Sequence, residues 1–330
     1  MSRLRIGTRG SALALAQTRL VADRLEIGQH GDADIVTLTT SGDHNEHAGD
    51  KSRWVDTIED ALLAGEIDLA VHSAKDLPGE LAAGLTLLGA PPRAGVEDVL
   101  CFAADPAAGS DRGANEYLRG TGGEDGGEGA SSGLDGLAEG ARVGTSSIRR
   151  AAQLRAARAD LDVVTVGGNV DTRLRLLAEG RLDAIVLARA GLQRLGRERE
   201  IGAVLDPARF VPAPGQGALA LEARAGDARV AEAVAAILDV DTSACLQAER
   251  ALASALDANC HTPLGAHATP AGCGCFGLRA WVGLPDGSAW IVDELLGGFY
   301  DPTELGARMA ERMSAAGARE LLTKAERHAP

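Results

Sequence analysis

Two rhythms of apolar and polar positions alternate along this chain. Short apolar runs at Leu4–Gly7, Ile35–Thr39, Leu69–His72, Leu85–Leu88, Val99–Phe102, Val163–Val166, Ala184–Leu187 and Leu219–Glu222 predict buried strands. Between them, apolar residues recur every three or four positions at Ala12–Glu26, Val55–Ala64, Ile148–Ala159, Val170–Ala178, Ser243–Leu256 and Pro302–Ala325, which predicts amphipathic helices. Strand, turn and helix in repeated succession predict α/β layers with largely parallel sheets.

The pattern also echoes itself. Arg5–Ser11 reads RIGTRGS and Arg142–Ser147 reads RVGTSS; Leu62–Val71 reads LLAGEIDLAV and Leu176–Val186 reads LLAEGRLDAIV. Each half therefore pairs a strand–Gly-Thr–Ser–helix unit with a later helix–Asp–strand unit. Two similar α/β domains follow, with ligands in the cleft between them. Gly122–Gly133 holds six glycines in twelve residues among acids and serines, and is read as an exposed insertion without chemistry. From about Asp241 the pattern changes to a helix, a Gly/Pro-broken region, strands near Leu278–Val282 and Trp290–Val292, and a final helix, which suits a smaller α+β domain. The expected boundaries are 1–95 plus 217–236, then 96–216 with its insertion at about 107–140, then 237–330, with crossovers near Pro92–Asp98 and Pro212–Gly217.

Composition narrows the class. A chain of 330 residues with 45% hydrophobic content can build more than one core. It has no apolar run long enough to span a bilayer, and its first residues enter a strand pattern without an apolar signal core, so a cytoplasmic protein with no membrane partner is expected. Net charge is -14, which argues against nucleic acid as a partner. Only Lys51, Lys75 and Lys324 are lysines. An acidic, Arg-rich surface suits a salt-rich, halophilic cytoplasm, and GC-biased codon use explains the same pattern. The odd set Cys101, Cys245, Cys260, Cys273 and Cys275 points to free thiols. No long apolar seam or heptad is visible, so a monomer is expected.

Chemistry gathers at helix starts. Arg9-Gly10-Ser11, Thr145-Ser146-Ser147 before Arg149 and Arg150, and Asn169-Val170-Asp171-Thr172 before Arg173 each place small caps and guanidinium groups at a helix N-terminus. Free N–H groups and bidentate arginines there favour carboxylates. Three such turns on one cleft would clamp a small polyanion, and the absence of GxxxxGK[ST] weakens a nucleotide reading. Val71-His72-Ser73-Ala74-Lys75-Asp76-Leu77-Pro78 puts an acid beside a rare lysine at a strand end. Asp76 could stabilise a developing cation there or move protons. Cys260 lies in a loop, Asp257-Ala258-Asn259-Cys260-His261-Thr262-Pro263, where a thiol is accessible. Cys273, Cys275, His261 and His267 match no zinc spacing, and His44, Glu46 and His47 lie in a polar segment, so no metal is expected.

Taken in order, TRGSALA, VHSAKDLP, GTSSIRRAAQL, GNVDTRL, DAIVLARAGLQRLG, PAPGQGALALE and AERALASALDANCHTPLG resemble the hydroxymethylbilane synthase (porphobilinogen deaminase) family from about Leu4 to the C-terminal helix. The resemblance implies three domains: two similar α/β domains of the type II periplasmic-binding-protein kind flanking a cleft, and a smaller α+β third. It implies a dipyrromethane cofactor joined by a thioether to Cys260. It also implies stepwise deaminating condensation of four porphobilinogen molecules onto that primer, then release of the linear tetrapyrrole by water. Asp76 matches the catalytic carboxylate. Arg9, Ser11, Ser73, Lys75, Thr145, Ser147, Arg149, Arg150, Arg173 and Arg194 match residues at or beside the acetate and propionate groups, and Gln216 matches a hinge-like crossover.

Three departures stand out. Gly167 replaces a binding arginine, and Arg189, where a small or apolar residue is usual, is expected to supply the charge. The family's Gly-rich lid loop becomes Gly49-Asp50-Lys51-Ser52-Arg53-Trp54, leaving Lys51 and Trp54 as lid candidates. Ala258-Asn259 replaces two glycines before Cys260. A non-enzymatic anion binder on the same two-domain fold is the alternative reading; it would need neither Cys260 nor Asp76. A metal-dependent enzyme would rest on the Cys/His cluster alone.

Overall fold

The computed structural model describes residues 3–27, 33–38, 52–103, 133–259, 261–272, 275–297 and 301–327. Cys260, Cys273, Lys51, the His44–His47 segment and all but the last residue of the Gly-rich insertion lie outside these residues, as does the side chain of Trp54.

The first sheet contains β1 (Leu4–Arg9), β2 (Ala33–Leu38), β3 (Leu69–Ser73), β4 (Leu85–Gly89) and β10 (Leu219–Arg224), in the order β2-β1-β3-β10-β4. β1 runs parallel to β2 and β3, and β10 lies antiparallel between β3 and β4. The second sheet contains β5 (Asp98–Phe102), β6 (Arg142–Thr145), β7 (Asp162–Thr165), β8 (Ala184–Ala188) and β9 (Ala203–Val204), in the order β7-β6-β8-β5-β9. Here β6 is parallel to β7 and β8, and β5 is antiparallel to β8 and β9. The two orders superpose strand for strand, which is the physical content of the sequence echo. In each unit the antiparallel strand is the one that follows a crossover from the other unit. This is the type II periplasmic-binding arrangement.

Helices α1 (Ala12–Ile27), α2 (Ser52–Leu63) and α6 (Ala228–Ala235) belong to the first unit; α3 (Ile148–Ala157), α4 (Val170–Ala178) and α5 (Arg189–Arg194) belong to the second. The caps follow local chemistry. The Ser147 hydroxyl accepts from the Arg150 N–H at the start of α3, and Asn169 Oδ1 accepts from the Thr172 N–H at 2.9 Å at the start of α4. The first core gathers Leu4, Ile6, Leu69, Val71, Leu219 and Leu221, all buried. Each fully buried Leu or Ile contributes about 1.5–3 kcal/mol of transfer free energy.

The third unit packs α7 (Val240–Ala255), α8 (Pro302–Ala315) and α9 (Ala318–Arg327) on an antiparallel sheet of β11 (Leu264–Gly272), β12 (Cys275–Gly283) and β13 (Trp290–Gly297). Two expectations change here. The single helix expected over Pro302–Ala325 is two helices, because Gly317 takes φ 98, a left-handed stop that other residues rarely adopt. The Gly/Pro-broken stretch after Pro263 forms strand β11, which tolerates Pro270 because it lies at the sheet edge beside an irregularity in the register.

The crossovers, residues 90–97 and 205–218, run side by side, with the Ala94 N–H donating to the Gly217 carbonyl at 3.1 Å. Glu249 of α7 is fully buried and binds both. It accepts from Arg93 Nη1 and Nη2 at 2.8 and 3.0 Å, from the Gly215 N–H at 2.6 Å and from the Ala268 N–H at 2.7 Å. One carboxylate of the third unit thus fixes the two strands of chain on which the other units are hung.

Candidate active site

In the first unit, β1 and β3 both end at one pocket. Thr8, Arg9, Ser11, Gln17, His72, Ser73 and Asp76 line it, with Val55 and Ile58 of α2 opposite. Parallel strands in adjacent positions bring these ends together, which is why motifs more than sixty residues apart share one wall. Ser11 Oγ accepts from the Ala14 N–H at 3.2 Å, as a cap should. Gln17 Nε2 donates to Ser73 Oγ at 2.8 Å, so α1 holds the residue that precedes the turn. After Ser73 the chain leaves the sheet in a 3-10 turn, Ala74–Asp76, which sets the half-buried Asp76 at the pocket rim.

The second unit carries the arginines, and they are deeper than expected. Arg149 and Arg150 are 3% and 6% exposed, and both pair with the fully buried Asp98 that opens β5. Arg149 Nη1 lies 2.8 Å from Asp98 Oδ2, and Arg150 Nη2 lies 2.7 Å from Asp98 Oδ1. Burial alone would raise the Asp98 carboxyl, but Arg149 and Arg150 outweigh it and hold it well below the ordinary carboxylate range. Arg149 is itself depressed, first by burial. These two arginines therefore anchor the strand after the first crossover.

Gln216 joins the units. Its amide donates to the Val96 carbonyl at 2.7 Å and to Asp98 at 2.9 Å; its oxygen accepts from Arg150 at 3.3 Å and from Lys75 Nζ at 3.4 Å. Lys75, beside Asp76, is thus linked through one buried amide to the arginine pair of the other unit. Thr145 is buried and its hydroxyl accepts from the Ser147 N–H at 3.2 Å, which shapes the turn before α3. Arg173 donates to the Gly168 carbonyl at 3.0 Å and to Ser146 Oγ at 2.7 Å. Burial, then the charge of Arg150, lowers the Arg173 guanidinium to about 10, while Asp76 acts in the opposite sense. Arg194 stands apart, donating to the Gly217 carbonyl at 2.6 Å, and is lowered to about 10 by burial and by Arg24.

Arg189 requires a correction. Its Nη1 lies 2.9 Å from Glu97, and its side chain covers Gly95, so its charge is met beside the first crossover rather than at Gly167. Gly167 is left with nothing within 4 Å of where a Cβ would stand. Around Cys260, Asn259 organises the flanking residues: its Oδ1 accepts from the His261 N–H at 2.8 Å, and its own N–H donates to Thr262 Oγ1 at 2.9 Å. Asp257, not Asn259, takes the left-handed backbone, at φ 54.

Sequence reasoning missed Asp98, Glu222 and Glu249, and quoted His72 without a role. The available signal was a lone acid at one end of an apolar strand, as in DVLCF and LALE. Among the described residues no three His, Cys, Asp or Glu side chains gather as a metal would need, and no helix is long and apolar enough to cross a membrane.

Residues 4–232 match the sequence model described as "Porphobilinogen deaminase, dipyromethane cofactor binding domain", and residues 243–315 match that of its C-terminal domain. The chain belongs to the porphobilinogen deaminase family. A porphobilinogen deaminase of Deinococcus radiodurans is 43% identical over 330 residues, covering 98% of both chains. One of Thermus thermophilus is 41% identical, covering 97% of this chain and 98% of its own. A periplasmic substrate-binding protein of an ABC transporter from Coxiella burnetii is a distant likeness, at 16% identity and TM-score 0.41 over 72% of this chain and 92% of its own. The porphobilinogen deaminase match spans all three sheets, so the pocket at Asp76, the arginine turns and the Cys260 loop belong to one family frame.

Proposed function

We propose that this chain is a hydroxymethylbilane synthase, a transferase of tetrapyrrole biosynthesis that condenses four porphobilinogen molecules with loss of ammonia. The observation that carries the reading is the cleft itself. It gathers Arg9, Ser11, Ser73 and Asp76 at one pocket and links them, through Lys75 and Gln216, to the buried arginines of the second unit. Cations so placed are relieved by an anionic ligand, and a chain of acetate- and propionate-bearing pyrroles is such a ligand. The residues present therefore fit a dipyrromethane. Cys260 would hold it by a thioether, with Arg149, Arg150, Arg173, Thr145 and Ser147 beside its carboxylates. When bound, that group supplies the nucleophilic pyrrole end on which the product grows.

The chain's own residues divide the remaining work. Arg9, Ser11 and Ser73 receive the carboxylates of the incoming substrate at the first pocket. The Asp76 carboxylate accepts pyrrole N–H groups and stabilises the cation that forms as ammonia departs, in a site partly closed to water. Lys75 and Gln216 link that pocket to the arginine pair, so a shift of one unit is felt by the other. Arg194 at the Gly217 carbonyl acts at the hinge rather than on ligand. Lys51 and Trp54 would cover the pocket as a lid. The domain boundaries follow the crossovers: 1–95 with 217–236, 96–216, and 237–330. We infer a cytoplasmic monomer.

Intact mass of the purified protein tests the reading. A mass increment equal to one dipyrromethane, absent in Cys260→Ser, is expected. An unmodified, folded wild-type protein that binds porphobilinogen without turnover would instead support a plain anion binder.

A further inference from the structure

Beneath the Asp76 pocket lies a second cluster that the reading above does not use. Strand β3 brings His72 to the face covered by α2, and β10 brings Glu222 to the same face one register step away, since Ala220 pairs with His72 and Glu222 with Ala70. His72 Nε2 lies 3.0 Å from Glu222 Oε2, with His72 7% exposed and Glu222 fully buried. The other oxygen of Glu222, Oε1, is also buried and has no hydrogen-bond partner among the described residues. Glu59 of α2 is 7% exposed, and its Oε1 accepts only a long bond, 3.3 Å, from the Ala82 N–H. His72 and Glu222 thus meet in a nearly dry space, with Glu59 on the helix that covers this face.

The charged groups around the cluster come from every element packed on it: Glu222 from β10, Glu59 and Asp56 from α2, Arg250 from α7, and Arg9 and Asp76 from the pocket wall that His72 also lines. Burial, followed by Glu222 after the opposing bond from Ala82, raises the Glu59 carboxyl.

The position matters because His72 is the last β3 residue before Ser73 and the turn to Asp76. β10 starts just past the Gln216-Gly217 crossover. The His72–Glu222 contact therefore ties the strand that returns from the hinge to the strand that delivers the reacting carboxylate. We propose that His72 and Glu222 are positioning residues: a buried clamp that fixes the Ser73–Asp76 turn on the pocket. The proposal rests on Asp76 being the reacting group.

The test uses the full-length, cofactor-loaded enzyme. Glu222→Gln keeps shape and removes charge. It should load the primer normally by intact mass, lower kcat ten-fold or more with KM within two-fold, and shift the kcat–pH profile. Glu222→Gln with wild-type kcat and profile overturns the clamp. Should Glu222→Gln fail to fold, His72→Phe, which removes the other half of the 3.0 Å contact, decides the matter by the same readouts, and a His72→Phe enzyme with wild-type kcat and pH profile overturns the clamp. An active Asp76→Asn would instead strike the reading of Asp76 on which the clamp rests, whereas an inactive Asp76→Asn beside an unaffected Glu222→Gln strikes the clamp alone.

Discussion

The first two sheets share one strand order and differ in electrical outcome. Each receives its antiparallel strand straight after a crossover, and each such strand brings in a buried acid: Glu222 on β10 and Asp98 on β5. Asp98 meets two arginines and is driven to ionise. Glu222 meets one histidine, beneath a helix whose Glu59 carboxyl is pushed up by burial. The equivalent strand thus carries a strongly charged knot in one unit and a histidine–carboxylate contact in the other, at different depths: Asp98 pairs with the last residue of β8 and Glu222 with the second of β3. The fold supplies equivalent strands, and the side chains on them decide the electrical character of each wall.

The sharpest way to break this division is to neutralise the acid wall. Asp76→Asn should cut kcat by about 10²–10⁴, the usual range for removing such a group. Primer loading and thermal stability should stay unchanged, because Asp76 sits at a half-buried rim rather than in the core. Steady-state kinetics beside intact mass would check this, and a near-normal kcat would end the assignment of the acid wall. On the opposite wall, Asp98→Asn leaves two buried arginines without their counter-charge, and such a loss costs about 3–5 kcal/mol. Its pH signature has a definite sign. The folded Asp98 carboxyl is depressed, so its stabilisation is full above the unfolded value of about 3.9 and is lost as pH falls through the folded one. Denaturant midpoints should therefore converge for wild type and Asp98→Asn in strong acid and separate toward neutrality. Curves that stay parallel would mean that the pair contributes packing and no charge.

The α/β alternation was plain in the hydrophobic pattern because β3, β8 and β10 are buried almost throughout and read as unbroken apolar runs. The duplication was legible from RIGTRGS and RVGTSS because caps and tight turns are set locally. Other features depend on pairing between distant segments, and no window along the chain contains them. β11 was hidden because its Pro270 and Gly272 oppose strand propensity, and pairing with β12 overrides them. The anchoring role of Arg149 and Arg150 was not legible because their partner Asp98 lies 51 and 52 residues earlier, at the end of a crossover. Glu249 showed no role in the sequence because Arg93, Gly215 and Ala268 meet it only in the folded chain.

The smallest effect concerns the one gap in the arginine wall. Gly167 is exposed, its φ lies outside the left-handed region, and a Cβ there would meet nothing within 4 Å. Its neighbour Gly168 differs, with φ +90 and the Thr172 side chain close by. Gly167→Arg should thus fold with a stability change within about 0.5 kcal/mol, as exposed substitutions usually do. The added guanidinium would join the α4 N-terminus, where Arg173 already donates to Ser146. Arg189 is engaged with Glu97 and does not supply a charge at this turn. KM for porphobilinogen, or the rate of later additions, should improve a few-fold at low salt. The gain should shrink as ionic strength rises and the screening length falls to about 8 Å at 0.15 M. A KM that rises in Gly167→Arg, or a gain indifferent to salt, would show that the growing polycarboxylate does not pass this turn and that the anion wall ends at Arg173.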